Sequence, residues 1–175
     1  MPATRSDLFA FLDSLGIETT TQDHRAVFTV AESEGIHDAI PGGHTKNLFL
    51  KDKKGNLFLV VALHDAEIDL KSIHQKIGAQ GRVSFGKADL LMEVFGVEPG
   101  SVTPFALIND RAARRVTPVL DAAMMAVDPL NYHPLQNTAT TTISADDLKR
   151  FVEACGHELR VLPVSAQSMD AAGDV

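Results

Sequence analysis

The chain has no tryptophan, one tyrosine and one cysteine, Cys155, in 175 residues. A lone thiol can neither close an internal disulfide nor build a thiolate-rich zinc site, so stability must come from a packed core. It also fits a reducing compartment. No stretch approaches the roughly 20 apolar residues that cross a bilayer, and residues 1–7 contain no apolar signal core. A cytoplasmic location without a membrane partner is therefore expected. Positive charge is scarce as well: 16 Lys and Arg face 23 Asp and Glu, a net charge of −7. Broad, sequence-blind binding to a phosphate backbone needs many cations acting together, which this balance argues against. A small local footprint stays open. Cations cluster at Lys51, Lys53 and Lys54 and again at Arg111, Arg114 and Arg115, although each cluster also reads as an ordinary wetted loop.

Familiar catalytic signatures are missing too. There is no Gly-x-Ser-x-Gly elbow, no phosphate-cradling loop ending Gly-Lys-Ser/Thr and no His-Glu-x-x-His. Histidines stand at 24, 37, 44, 64, 74, 133 and 157. The pair His37/His44 has no close acid to complete a recognisable metal set, so neither a metal nor a cofactor is expected. Cys155 and His157 lie at a predicted helix C-terminus, where the dipole disfavours a thiolate, and the pair reads as incidental.

What is present is a strong hairpin signal. Residues 45–50 and 57–63 are apolar runs separated by Lys51-Asp52-Lys53-Lys54-Gly55-Asn56, a polar loop with a glycine for positive φ. Leu57 to Leu63 has no polar residue and predicts a strand buried on both faces near the middle of a sheet. Lys46 and Asn47 stand where the first strand begins, a rigid place from which to present polar groups. A lysine opening an edge strand also reads as a solvated charge.

Around this hairpin, Leu8, Phe11, Leu12 and Leu15 predict a helix closed by Gly16, and residues 17–24 a threonine-rich strand. A short helix is expected over Val30 to Gly35, then a loop with Pro41-Gly42-Gly43. Asp69 to Ile77 predicts a helix ended by Gly78, and Ser84 an N-cap for a helix ended by Gly96. Gly100-Ser101-Val102-Thr103-Pro104 reads as a loop feeding a strand at Phe105 to Ile108. Two more strands are expected at Val116 to Leu120 and Ala122 to Val127, the latter with helical character as an alternative. Asn131 to Pro134 reads as a turn and Thr138 to Ile143 as extended. Ser144 predicts a capped helix running to Gly156. Leu159 to Leu162 is a last strand, and residues 167–175 a disordered tail. The expected fold is α+β: a single domain with a mixed, mostly antiparallel central sheet flanked by helices.

Three features in order carry a resemblance: Lys46-Asn47 opening an apolar strand, Gly100 to Pro104 as a Gly-x-x-x-Pro loop, and His133-Pro134 downstream. Together they resemble the YbaK/prolyl-tRNA synthetase-associated editing family over roughly Thr4 to Val164. Within it, residues 133–143 are particularly similar to the freestanding prolyl-tRNA deacylases. The resemblance implies an editing domain over residues 1–166 that hydrolyses alanine wrongly esterified to proline-specific tRNA. Lys46, Gly100 and His133 would be its catalytic residues, and Asn47, Ser101 and Pro104 its substrate contacts. Its partners would be the acceptor end of mischarged tRNA and, as a further candidate, prolyl-tRNA synthetase. A tight apolar wall is expected from Phe49, Val60, Val61 and Ile108. Two alternatives stay open: a deacylase for cysteine, serine or threonine esters, or a catalytically silent module that binds tRNA or a synthetase.

Overall fold

Thr4 starts the first helix, α1 (Arg5–Ser14), through a reciprocal capping box: its hydroxyl accepts from the Asp7 N–H while the Asp7 carboxylate accepts from the Thr4 N–H. Leu8 and Leu12, on one face of α1, are buried. Then come β1 (Thr20–Asp23) and the expected hairpin, β2 (Gly43–Lys51) and β3 (Leu57–Leu63), paired antiparallel with Lys46 opposite Ala62. Its turn is organised by Asp52, whose buried carboxylate accepts from the backbone N–H of Lys54, Asn56 and Gln80 and from the Asn56 amide. Gly55 supplies the positive φ, +85°. This computed structural model describes residues 1–26, 35–36 and 39–173. The helix expected over Val30 to Gly35 and His37 therefore fall wholly or mostly outside the described residues.

The remaining elements are α2 (Ile73–Ile77), β4 (Ser84–Phe85), α3 (Ala88–Phe95), 3-10 turns at Pro99–Ser101 and Pro104–Asp110, β5 (Val116–Asp121) and α4 (Ala122–Met125). They are followed by β6 (Leu130–Tyr132), β7 (Ala139–Ile143), α5 (Ala145–Ala154), β8 (Arg160–Leu162) and α6 (Ala166–Gly173). One mixed sheet runs β1-β7-β6-β2-β3-β5-β8, with β4 added to β2. Pairings β1–β7, β6–β7, β2–β3 and β2–β4 are antiparallel, whereas β2–β6, β3–β5 and β5–β8 are parallel. The α+β fold with a mostly antiparallel sheet is thus what the chain adopts. β3 lies inside it, and residues Leu57 to Ala62 are all buried.

Side-chain alternation divides β3 between two cores. Leu57, Leu59 and Val61 enter the larger one, with α1, α3, α5 and the second 3-10 turn; Phe58 and Val60 enter the smaller one with Ile73, Ile77 and Val119. Truncating a fully buried member such as Leu59 to Ala costs about 2–5 kcal/mol.

Several local expectations give way to tertiary context. Phe105 to Ile108 is a 3-10 turn and not a strand, because Pro104 occupies its first position and the Thr103 hydroxyl accepts from the Phe105 N–H. Ser84 does not cap α3; it pairs with Lys51 in β4, and Lys87 takes the N-cap position. The Asp69 to Ile77 helix is shortened to α2, since the Asp69 carboxylate ties the Lys71 N–H and Ser72 hydroxyl into a turn. Ala122 to Val127 takes the helical alternative in α4, and residues 130–132 extend as β6 before the turn. The tail carries α6, whose Ser168 hydroxyl donates to the buried Asp121 carboxylate.

Candidate functional site

The β2 strand is paired on its outer edge with β6 only at Gly43 and His44 and with β4 only at Leu50 and Lys51. Among the described residues, no strand lies beside Lys46, Asn47 and Leu48 on that edge. The sheet therefore opens at the place where the two polar residues stand. Gly43 N–H donates to Pro129 O and Phe49 O accepts from Gly86 N–H, both across this edge. By alternation, the backbone N–H and C=O of Asn47 also point into the opening.

The side chains of Lys46 and Asn47 leave β2 on opposite faces. Lys46 lies on the Leu48/Leu50 face, half-buried, and its ammonium donates to the carbonyl of Ala66 at 2.5 Å. Asn47 lies on the Phe49 face. Its Oδ1 is buried and has no hydrogen-bond partner. Buried polar atoms are nearly always paired, and an orphan acceptor costs about 1–3 kcal/mol. Nδ1 of His74 and of His157 are likewise buried and unpaired; what distinguishes Asn47 is its position on the open stretch of the β2 edge.

The glycine loop is built from its own backbone. Pro99 starts the first 3-10 turn, and Ser101 N–H donates to Glu98 O at 2.9 Å. Ser101 and Pro104 are buried and shape the loop from within, while Gly100 is exposed. Gly100 needs no left-handed φ; what it supplies is space. A Cβ there would sit 3.3 Å from Nδ2 of Asn137, so the glycine loop lies directly against the segment that carries His133.

That segment leaves the sheet after β6. Asn131 is opposite His44, and the Thr45 hydroxyl donates to Asn131 O at 2.7 Å. The parallel pairing ends there, β6 ends at Tyr132, and His133 is the first residue beyond it. Beyond it, Leu135 is held at φ +69°, a left-handed conformation that costs a branched residue roughly 1–2 kcal/mol. His133 Nδ1–H donates to Ala139 O at 3.0 Å, which fixes the neutral tautomer and leaves Nε2 as a lone-pair acceptor. Burial pushes the His133 pKa below its ordinary value, outweighing the Ala139 hydrogen bond, and the neighbouring His24 adds to the depression. The two rings are 6.4 Å apart between centroids. His24 itself donates from Nδ1 to Arg25 O and accepts at Nε2 from the Thr140 hydroxyl.

Gly100 and the segment that carries His133 are therefore brought together through Asn137, while Lys46 and Asn47 stand at the open stretch of the β2 edge on opposite faces of the sheet. Phe49, Val61 and Ile108, expected as pocket wall, lie in the larger core, and Val60 lies in the other. Asn137 and His24 gave no sequence signal as site residues: both are placed by contacts across more than 30 residues of chain. His157 donates from Nε2 to the buried Asp110 carboxylate at 2.8 Å. Burial lifts the nearby Cys155 thiol to about 12, which keeps it protonated. No group of three His, Cys, Asp or Glu that could hold a metal occurs among the described residues, and no helix among them is long and apolar enough to cross a membrane.

With this geometry in place, likeness to other proteins is informative. The sequence pattern of the family described as aminoacyl-tRNA editing domain matches residues 24–151. Prolyl-tRNA synthetase associated domain-containing protein 1 of Danio rerio is 41% identical over 155 residues, covering 87% of this chain and 83% of that protein. Prolyl-tRNA editing protein ProX of Acetoanaerobium sticklandii is 36% identical over 156 residues, covering 89% and 94%. A crystal structure described as a candidate trans-editing enzyme for prolyl tRNA synthetase aligns with a TM-score of 0.63 at 14% identity, over 93% of this chain and 98% of that one. At that identity the likeness shows the shared fold alone.

Proposed function

This chain belongs to the aminoacyl-tRNA editing domain family, and from that premise we propose that it is a trans-editing deacylase which clears alanine from proline-specific tRNA. The chemical need is physical. A synthetase pocket shaped for proline cannot exclude the smaller alanine; it loses only about 0.8 kcal/mol for each of two missing methylenes, together a discrimination of roughly tens-fold. A second site that admits a methyl side chain and rejects a pyrrolidine ring supplies the remainder.

The observation that carries the reading is the orphan Oδ1 of Asn47. An aminoacyl ester brings an α-ammonium group, a charged donor, and Asn47 accepts from it in this reading. Lys46, whose ammonium is anchored by Ala66 O, supplies a fixed point charge for the terminal phosphate or the ester oxygen. The Gly100 N–H, with no side chain in the way, holds the ester carbonyl as negative charge develops on it. His133 Nε2 accepts a hydrogen bond from a ribose hydroxyl of the terminal adenosine. Ser101 and Pro104 keep the loop in shape. Water adds to the carbonyl carbon, the ester C–O bond breaks, and the departing ribose oxygen takes up the proton that the water gives up. The vicinal ribose hydroxyl assists the water, so no strong protein base is required. The partners are the acceptor end of the mischarged tRNA and, as a second proposal, prolyl-tRNA synthetase.

Deacylation rates on alanyl-, cysteinyl- and seryl-tRNA test this reading. Alanyl-tRNA is expected to be cleared fastest, with Lys46→Ala strongly impaired. Faster clearance of cysteine or serine would replace the substrate, and inactivity on all three would leave the silent binding module as the better account.

A further inference from the structure

Residues 165–168, beyond the last strand, are tied to the carbonyl on which the Lys46 ammonium rests. Ala66 lies in the turn after β3, closed locally by its N–H donating to Leu63 O at 3.0 Å. Ala66 is buried, and its carbonyl accepts from Lys46 Nζ. The residues on either side of it are exposed and are gripped from the far end of the chain. Gln167, in the first turn of α6, accepts at Oε1 from Glu67 N–H at 3.0 Å and donates from Nε2 to Asp65 O at 3.4 Å. Ala166 N–H donates to Glu67 O at 2.8 Å. One side-chain amide and one backbone N–H thus hold the peptide units on both sides of Ala66.

The grip is rooted in the core. Asp121, at the end of β5, is fully buried. Its Oδ1 accepts from Val164 N–H at 3.1 Å, Ser165 N–H at 3.2 Å and the Ser168 hydroxyl at 2.5 Å, and its Oδ2 from the Ser165 hydroxyl at 2.7 Å. Ser165 Oγ accepts in turn from Ser168 N–H at 3.1 Å and so caps α6. Ala123 N–H donates to Ser168 Oγ at 2.8 Å, and Val164 belongs to the smaller core with Phe58 and Val60 of β3. Releasing this segment would strand several buried donors at once, so it is a stiff support. Lysine has a flexible four-carbon stem, and an acceptor fixed in space selects one arrangement of it. A charge held in advance is worth more to a reaction than one that must be ordered during it.

We propose that Gln167 is a positioning residue for Lys46: its amide holds the Asp65 to Glu67 turn so that the Ala66 carbonyl fixes the ammonium at the open stretch of β2. Gln167 acts through Lys46 and touches no substrate. The proposal rests on the editing reading only for the reaction in which Lys46 is used. Because the Gln167 side chain is exposed, replacing it leaves both cores intact.

The test compares the parent with Gln167→Ala, both as full chains. Gln167→Ala should keep its Tm within about 2 °C of the parent, as an exposed substitution does. Its saturating single-turnover rate on alanyl-tRNA is expected to fall about tenfold, since small misplacements of a reacting group are costly, while the enzyme concentration giving half that rate stays within about twofold. A second readout needs no activity. Reductive methylation followed by mass spectrometry reports how freely each lysine reacts, and Gln167→Ala is expected to raise labelling of Lys46 several-fold relative to the exposed Lys54. General loosening of the fold would lower Tm and would not single out Lys46. An unchanged saturating rate, a loss confined to half-saturation, or unchanged Lys46 labelling overturns the proposal. The two readings fail separately. If the parent clears alanyl-tRNA and Gln167→Ala does so equally well, the positioning role is wrong and the editing reading stands. If the parent clears no ester, the editing reading is wrong, and the labelling of Lys46 alone decides whether Gln167 positions it.

Discussion

Replacing Asn47 by leucine should make the free protein more stable and the enzyme worse. The Oδ1 atom is buried without a partner, so the folded protein bears a desolvation cost of about 1–3 kcal/mol that an apolar side chain removes. Imperfect fit of the branched leucine returns up to about 1.5 kcal/mol of that. The net expectation is a gain of about 1 kcal/mol, equivalent to a rise of roughly 2–4 °C in Tm for a chain of this size. In the proposed reading the same replacement deletes a hydrogen bond to the substrate ammonium. Bonds to charged groups contribute about 1.5–3 kcal/mol, so kcat/KM on alanyl-tRNA should fall roughly 10- to 150-fold. Thermal or urea unfolding reads the first effect and single-turnover deacylation the second. The reasoning fails if Asn47→Leu is less stable than the parent by 1 kcal/mol or more while activity stays within twofold. That result would mean the amide is a satisfied structural group and not a binding group held in reserve.

Other consequences are equally open to measurement. Gly100→Ala introduces no left-handed strain but crowds Asn137 at 3.3 Å; stability should change by less than about 0.5 kcal/mol while kcat falls roughly 10²- to 10³-fold, and unimpaired deacylation would remove Gly100 from the site. Burial acts to raise the Asp110 pKa, but hydrogen bonds from His157 and from the Arg115 and Val116 N–H groups outweigh it, and the net value is lowered. A depressed carboxylate contributes stability that is complete above the ordinary Asp pKa of about 3.9 and is lost as pH falls through the folded value. Asp110→Ala should cost about 1–3 kcal/mol, because it leaves the buried His157 Nε2 and the Arg115 and Val116 N–H groups without their acceptor, and should flatten the acid limb of a urea-midpoint profile; an unchanged limb contradicts this. Since burial lowers the His133 pKa, its acceptor form persists down to the ordinary histidine value of about 6.5. Between pH 7 and 8, kcat/KM should therefore show no ionisation that His133→Asn abolishes, and a His133-dependent decline in that range would count against the acceptor role.

The hairpin was the most legible part of the fold. Its signal is local: a polar loop with a glycine at positive φ joins two apolar runs, and nothing distant competes with it. α1 was legible from the helical spacing of Leu8, Phe11, Leu12 and Leu15, and α5 from Ser144, which acts on an amide three residues away. Phe105 to Ile108 was misread because a short apolar run is equally compatible with a buried strand or a buried turn. The proline at its first position and the threonine before it were the signals that favoured the turn. Ser84 and Asn131 were misread because their partners, Lys51 and His44, lie 33 and 87 residues earlier. In the site, Lys46, Asn47 and the Gly100 loop stood out as residue types at strand and turn boundaries. The opening in the β2 edge, the Asn137 contact and the opposite orientations of Lys46 and Asn47 arise from sheet pairing, which no local pattern encodes.

Single-turnover hydrolysis of alanyl- and prolyl-esters of the same proline-specific tRNA tests the central claim most directly. A site that accepts a methyl group and excludes a ring should clear the alanyl ester and leave the prolyl ester at its spontaneous rate, with the difference abolished in Lys46→Ala. Hydrolysis of both esters at similar rates, or of neither, would contradict an editing cavity at the β2 opening.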